Sequence, residues 1–288
     1  MTAQILDGLQ TAKTIRAELA EEVVQLKEKY GVTPSLSVVL VGEDPASVTY
    51  VSMKKKACLQ VGMESTIHEL PADSTQEQVK AVLTKLNEDP KIHGILVQHP
   101  VPKHLDENDI LAHVDVNKDV DGISVYSLGK LLLGEANFVA CTPLGMIVLL
   151  DRYGIPIQGK RAVVVGRSII LGKPAALLLL ERHATVTICH SRTVDLADVC
   201  READILVAAV GKAEMIKGDW IKPGAVVLDA GYNRVPGRDK DVGDVEFEAA
   251  AERASYITPV PGGVGPMTIA MLLRNTVEAA KKAEGILQ

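Results

Sequence analysis

Tyr50 and Lys54 stand four residues apart in a stretch that opens with Asp44-Pro45, an N-capping acid followed by a proline suited to the first helical position. In a helix that spacing puts both side chains on one face. A tyrosine offers a flat ring for an aromatic ligand and a hydroxyl; a lysine offers a cation or, with its pKa drawn down from about 10.4, a base. Spacing alone leaves a plainer alternative open, because Lys54 begins a Lys-Lys-Lys run that also suits a solvated helix face. Gln98 follows the apolar run 92–97 and precedes His99-Pro100, the place where the carboxyl edge of a strand presents polar groups to a substrate. A polar strand end also needs no function. Asp121, in Lys118-Asp119-Val120-Asp121-Gly122, suits an amino-substituted heterocycle or, equally, an Asx-type turn.

A second constellation begins at residue 162. Ala162-Val163-Val164-Val165 reads as a buried strand, Gly166-Arg167-Ser168 as a glycine turn, and Pro174 lies in the first turn of a helix. The free amides of such a helix start suit a pyrophosphate. The spacing departs from G-x-G-x-x-G, so a dinucleotide site and an ordinary strand–turn–helix connection both remain open. The next strand, 185–188, leads into Cys189-His190-Ser191-Arg192-Thr193 with no acid at its tip to take a ribose 2′-hydroxyl. Arg192, with Arg167 on the glycine loop, suits a 2′-phosphate instead, which favours NADP; the alternative is an arginine that faces water. Gly211 and Gly231 close two further strands, where a bare backbone approaches a cofactor or simply turns. The run Thr258-Pro259-Val260-Pro261-Gly262-Gly263-Val264-Gly265-Pro266-Met267-Thr268 concentrates constrained positions beyond what a simple connection requires.

The elements that must hold these residues read as α/β. Apolar runs at 36–41, 92–97, 162–165, 185–188, 204–210, 226–229 and 256–259 alternate with amphipathic stretches at 76–86, 171–182 and 266–283. Strands apolar along their whole length indicate parallel sheets covered on both faces. The stretch 118–145 lacks a sustained period and marks a boundary.

The chain has 288 residues, 47% of them hydrophobic and 24% charged, which excludes global disorder and allows two domains. A net charge of −6 without a basic block excludes nucleic acid as a partner. No apolar run has the length of a membrane span, so no membrane partner is expected. Four scattered cysteines without C-x-x-C, and histidines without metal-ligand pairing, point to a reduced, cytoplasmic protein and no metal site.

Seven segments in order carry a resemblance: Y-V-S-M-K at 50–54, H-G-I-L-V-Q at 93–98, K-D-V-D-G at 118–122, C-T-P-L-G at 141–145, V-V-G-R-S-I-I-L-G-K-P at 164–174, T-V-T-I-C-H-S-R-T at 185–193 and P-G-G-V-G-P-M-T at 261–268. Along essentially its whole length the chain resembles the bifunctional methylenetetrahydrofolate dehydrogenase/methenyltetrahydrofolate cyclohydrolase family. The resemblance implies two α/β lobes with a cleft between them. Residues 1–140 would form a catalytic folate-binding domain, residues 141–265 a Rossmann-type NADP-binding domain, and the helix 266–288 would pack back on the first. It further implies that Tyr50 stacks on the substrate's aminobenzoate ring, that Lys54, buried beside Gln98, is the central catalytic group, and that Asp121 grips the pterin.

By the same resemblance, Pro261 and Gly262 close over the folate. Arg167, Ser168, Ser191 and Arg192 hold cofactor phosphates and ribose, and Thr268 lies near the nicotinamide. Tetrahydrofolate derivatives as substrates, NADP as cofactor and a homodimer follow as expectations. His99, Asn117, Ile123, Ser124 and Ser127 depart from the family's usual residues beside the folate pocket. The runner-up functions are dehydrogenase activity alone or another NADP oxidoreductase of the same two-lobe architecture.

Overall fold

The computed structural model describes residues 2–238 and 240–286. In chain order the first half contains β1 (Gln4–Ile5), α1 (Gly8–Tyr30), β2 (Ser35–Val41), α2 (Pro45–Gln60), β3 (Glu64–Leu70), α3 (Gln76–Glu88), β4 (Gly94–Val97), α4 (Glu107–Ala112) and α5 (Val125–Leu132). The second half contains α6 (Cys141–Arg152), β5 (Arg161–Val165), α7 (Gly172–Glu181), β6 (Thr185–Cys189), α8 (Leu196–Arg201) and β7 (Ile205–Ala208). It ends with β8 (Val226–Asp229), α9 (Phe247–Ala251), β9 (Tyr256–Ile257) and α10 (Val264–Ala283). The contacts divide the chain into two units, Thr14–Cys141 with Ile269–Gln288 and Met1–Lys13 with Thr142–Thr268.

The first unit is built on a parallel three-stranded sheet in the order β3-β2-β4. Central β2 is buried at every position, as its Ser-Leu-Ser-Val-Val-Leu-Val sequence requires of a strand covered on both faces. β3 lies at an edge and carries Glu64, His68 and Glu69. That polarity hid it from a search for apolar runs. α2 begins where the sequence indicates: the Asp44 carboxylate accepts the Ser47 N–H at 2.9 Å, with Pro45 opening the helix. It buries Val51, Ala57 and Cys58, leaving Tyr50 on a different face. α1 buries Ile15, Leu19, Val23 and Leu26, a helical stripe, and its Glu22 meets Lys281 of α10 at 2.7 Å. The 118–145 stretch does contain a helix, α5, whose N-cap Ser124 is described with the site below.

The second unit is a parallel six-stranded sheet in the order β1-β9-β8-β7-β5-β6. Val163, Val165, Leu206, Ala208, Val227 and Ile257 form its core with Ala250 and Ala254. Each large aliphatic side chain buried there contributes about 1.5–3 kcal/mol. β5 pairs with β6 on one side and β7 on the other, so the winding of the sheet reverses at β5. Gly166 ends β5 with φ +134°, and a Cβ there would lie 2.1 Å from the Ala209 carbonyl oxygen, so only glycine lets the ends of β5 and β7 meet.

One boundary differs from expectation. Residues up to Lys13, assigned from the sequence to the folate-binding domain, group with the six-stranded sheet. The cause is β1, which pairs with β9 through Gln4↔Tyr256 and Ile5↔Ile257; a two-residue strand leaves no periodicity to read. The run 204–210 forms a strand only over Ile205–Ala208, and 256–259 only over Tyr256–Ile257.

Candidate active site

In the first unit Lys54 and Gln98, both singled out from the sequence, meet at the carboxyl end of β4. Gln98 directly follows that strand, 7% exposed, and its backbone N–H donates to the Val39 carbonyl at 2.9 Å. Its side-chain N–H donates to the His99 carbonyl at 2.7 Å, which turns Oε1 toward α2. There Lys54 Nζ donates to Gln98 Oε1 at 3.0 Å. Lys54 is half-buried rather than buried as expected, because it lies on the rim of α2; the Gln98 contact spends one of its three N–H groups and leaves two for a ligand. Tyr50, one turn earlier, is 47% exposed, with its ring open to stacking.

Asp121 is half-buried on the loop between α4 and α5, and the loop is held by its neighbour. The Asp119 carboxylate, 3% exposed, accepts N–H bonds from Gly122 and Ser124, each at 3.1 Å, and the Ser127 hydroxyl at 2.6 Å. Ser124 Oγ in turn accepts the Ser127 N–H at 3.2 Å and caps α5. Burial pushes the Asp119 carboxyl up despite these donors. Two of the five departures from the family pattern, Ser124 and Ser127, therefore serve this buried carboxylate.

Cys141, wholly buried, shares the site with Asp121 and Lys54. Desolvation drives its thiol well up, the Asp121 charge reinforces the rise and the Lys54 charge opposes it. Asn275 of α10 donates to the Val120 carbonyl at 2.8 Å and locks the same loop. The sequence reading gave neither Asp119, Cys141 nor Asn275 a role; Cys141 lay in a quoted motif, and Asn275 had no signal short of the fold.

The second unit gathers the remaining candidates. After β5, Arg167 and Ser168 are exposed, and among the described residues neither Arg167 nor Arg192 meets a carboxylate. The Gly172 N–H reaches Ser168 Oγ at 3.3 Å, and α7 starts at Gly172 with no side-chain cap. After β6 the turn is braced internally: His190 N–H donates to Thr193 Oγ1 at 2.9 Å and Arg192 N–H to His190 Nδ1 at 3.1 Å. This leaves the Ser191 and Arg192 side chains exposed for a ligand. These features fit a phosphorylated dinucleotide: two guanidinium groups without a carboxylate partner among the described residues and no acid at the tip of β6.

Gly211 has φ +64° with open space where a Cβ would stand. Gly231 differs. It is buried, and a Cβ would lie 2.4 Å from the Asp244 carboxylate, so packing inside the protein already demands glycine there. Thr268 shares a 2.9 Å hydroxyl–hydroxyl hydrogen bond with Thr142. Pro261 is exposed, and the Gly262 carbonyl accepts the Leu9 N–H at 2.8 Å, which braces the glycine–proline loop.

Among the described residues no helix is long and apolar enough to cross a membrane. Comparison with known proteins adds family evidence. Residues 6–121 match the model of the tetrahydrofolate dehydrogenase/cyclohydrolase catalytic domain, and residues 140–284 match that of the tetrahydrofolate dehydrogenase/cyclohydrolase NAD(P)-binding domain. The chain is 60% identical to the bifunctional protein FolD of Moorella thermoacetica, over 98% of this chain and 100% of that one. It is similar to the crystal structure of the bifunctional enzyme FolD, methylenetetrahydrofolate dehydrogenase/cyclohydrolase, from Campylobacter jejuni, with TM-score 0.95 and 46% identity over 97% and 99% of the two chains. The Trypanosoma brucei methylenetetrahydrofolate dehydrogenase-cyclohydrolase, solved with NADP cofactor and an inhibitor, gives TM-score 0.93 and 42% identity over 98% of each chain.

Proposed function

The chain belongs to the tetrahydrofolate dehydrogenase/cyclohydrolase family, and from that membership we propose that it oxidises methylenetetrahydrofolate with NADP+ and hydrolyses the methenyl product to 10-formyltetrahydrofolate. The observation that carries this reading is the Lys54–Gln98 pair, 3.0 Å apart and one helical turn from an exposed tyrosine. Hydride transfer needs alignment more than acid–base help, because the methenyl cation is stabilised by its two flanking nitrogens. Tyr50 supplies a stacking surface, and Asp121 supplies a carboxylate for the pterin's N–H groups. Bound NADP+ would supply the hydride acceptor. Arg167 and Arg192 would hold its 2′-phosphate, Ser168 and Ser191 its phosphates and ribose, Gly166 and Gly211 would allow backbone approach, and Thr268, fixed by Thr142, would face the nicotinamide.

Hydrolysis adds a water to the cation, and a proton must leave that water as the ring opens. Lys54, oriented by Gln98, manages it. The tetrahydrofolate substrates, a homodimeric assembly and a cytoplasmic setting complete the proposal; four free, buried cysteines support the reducing setting.

The cofactor assignment is tested by comparing NADP+ with NAD+ in the wild type and in Arg192→Ala. Loss of charge-assisted bonds to the 2′-phosphate raises the KM for NADP+ about 10- to 100-fold while that for NAD+ stays nearly constant. An equal effect on both cofactors removes Arg192 from phosphate recognition.

A further inference from the structure

We infer that Asp244 is a positioning residue for the dinucleotide, its buried carboxylate setting the backbone that walls the cofactor crevice; the inference rests on the proposed use of NADP+. Asp244 is fully buried. Its Oδ2 accepts the Val210 N–H at 2.6 Å and the Gly211 N–H at 2.9 Å, while Oδ1 accepts the Lys212 N–H at 2.8 Å and the Asn233 side-chain N–H at 3.0 Å. Three successive amides at the end of a strand form an anion-binding concavity. Here the chain's own carboxylate fills it.

A second buried carboxylate holds the first. Asp229, the last residue of β8, accepts the Gly231 N–H at 2.8 Å and the Asp244 N–H at 3.0 Å on Oδ1, and the Val245 N–H at 2.9 Å on Oδ2. Its own N–H donates to Thr258 Oγ1 at 2.7 Å. The fit leaves no slack, since a Cβ on Gly243 would stand 1.9 Å from Asp229 Oδ2. Burial pushes the Asp229 carboxyl up to about 6, and the Asp244 charge adds to the rise. Two interior carboxylates with no lysine or arginine partner among the described residues are costly. A strand end that merely turned would meet water at no such cost.

The location supplies the reason. In open α/β sheets a ligand lies outside the carboxyl ends of the strands where their order reverses, here between β5 and β7. Residues 210–212 follow β7 after Ala209, whose N–H donates to the Val165 carbonyl at 2.8 Å beside Gly166. Asp244 thus fixes one wall of that crevice. Because it consumes the three amides, the wall offers a dinucleotide the bare Cα of Gly211 rather than N–H donors, leaving the phosphates to the arginines.

The test is Asp244→Asn, which keeps the shape but turns an N–H₂ group toward backbone donors. NADP+ affinity is measured by titration, and hydrolysis of methenyltetrahydrofolate is measured with no cofactor present. We expect the NADP+ dissociation constant to rise at least about tenfold while hydrolysis stays within about twofold of wild type. Asn233→Ala, which keeps the carboxylate and removes one donor, should raise it about threefold. An unchanged dissociation constant in folded Asp244→Asn overturns the inference; if that variant does not fold, an unchanged constant in Asn233→Ala does so. Hydrolysis falling in step with affinity overturns it too, by showing a general structural role. A wild type that binds NADP+ but oxidises no methylenetetrahydrofolate removes the proposed reaction alone, and a weakened affinity in Asp244→Asn then still supports the inference.

Discussion

Lys54→Met loses methenyl hydrolysis and keeps measurable hydride transfer. Methionine preserves the reach and apolar stem of lysine but has no N–H to give Gln98 Oε1, and no group to accept or return a proton. Positioned general acid–base groups contribute about 10²- to 10⁴-fold, so hydrolysis should fall by that factor. The oxidation step moves a hydride and leaves a cation stabilised within the substrate, so it needs Lys54 only for orientation. Two assays on one preparation decide it: methenyl decay without cofactor, and NADPH formation from methylenetetrahydrofolate. Hydrolysis at the wild-type rate removes Lys54 from the proton step. An equal loss in both assays makes it a substrate-binding residue.

The second large effect is expected from a residue that never touches substrate in this account. Asp119→Ala strips the acceptors from the Gly122 and Ser124 amides and from the Ser127 hydroxyl, all in the interior. Each buried donor left unpaired costs about 1–3 kcal/mol, which gives about 3–5 kcal/mol once the loop relaxes. Denaturant unfolding should show that drop, and the KM for methylenetetrahydrofolate should rise because Asp121 loses its support. A variant with unaltered midpoint and kinetics would show that the loop is held by other contacts, Asn275 first among them.

These two residues also show what the chain discloses before it folds. The helix bearing Tyr50 and Lys54 is legible because Asp44-Pro45 is a local signal, and the central strands because both-face burial leaves unbroken apolar runs. β3 escapes because an edge strand keeps Glu64, His68 and Glu69 in reach of water. Asp119 and Asp121 flank one valine, and nothing in K-D-V-D-G says which acid turns inward; only the placement of Gly122, Ser124 and Ser127 decides it. Gly231 marks the opposite error. A glycine at a strand end suggests a ligand, yet the space is taken by Asp244, thirteen residues on and invisible as a partner until the loop closes.

One chain that carries both reactions in sequence must couple hydride transfer to hydrolysis. The direct measurement is a product balance: methylenetetrahydrofolate and NADP+ are supplied to the wild type, and NADPH, methenyltetrahydrofolate and 10-formyltetrahydrofolate are followed together. NADPH and 10-formyltetrahydrofolate should accumulate in equal amounts, with methenyltetrahydrofolate passing through a transient. NADPH matched by methenyltetrahydrofolate that decays no faster than it does in buffer would contradict it.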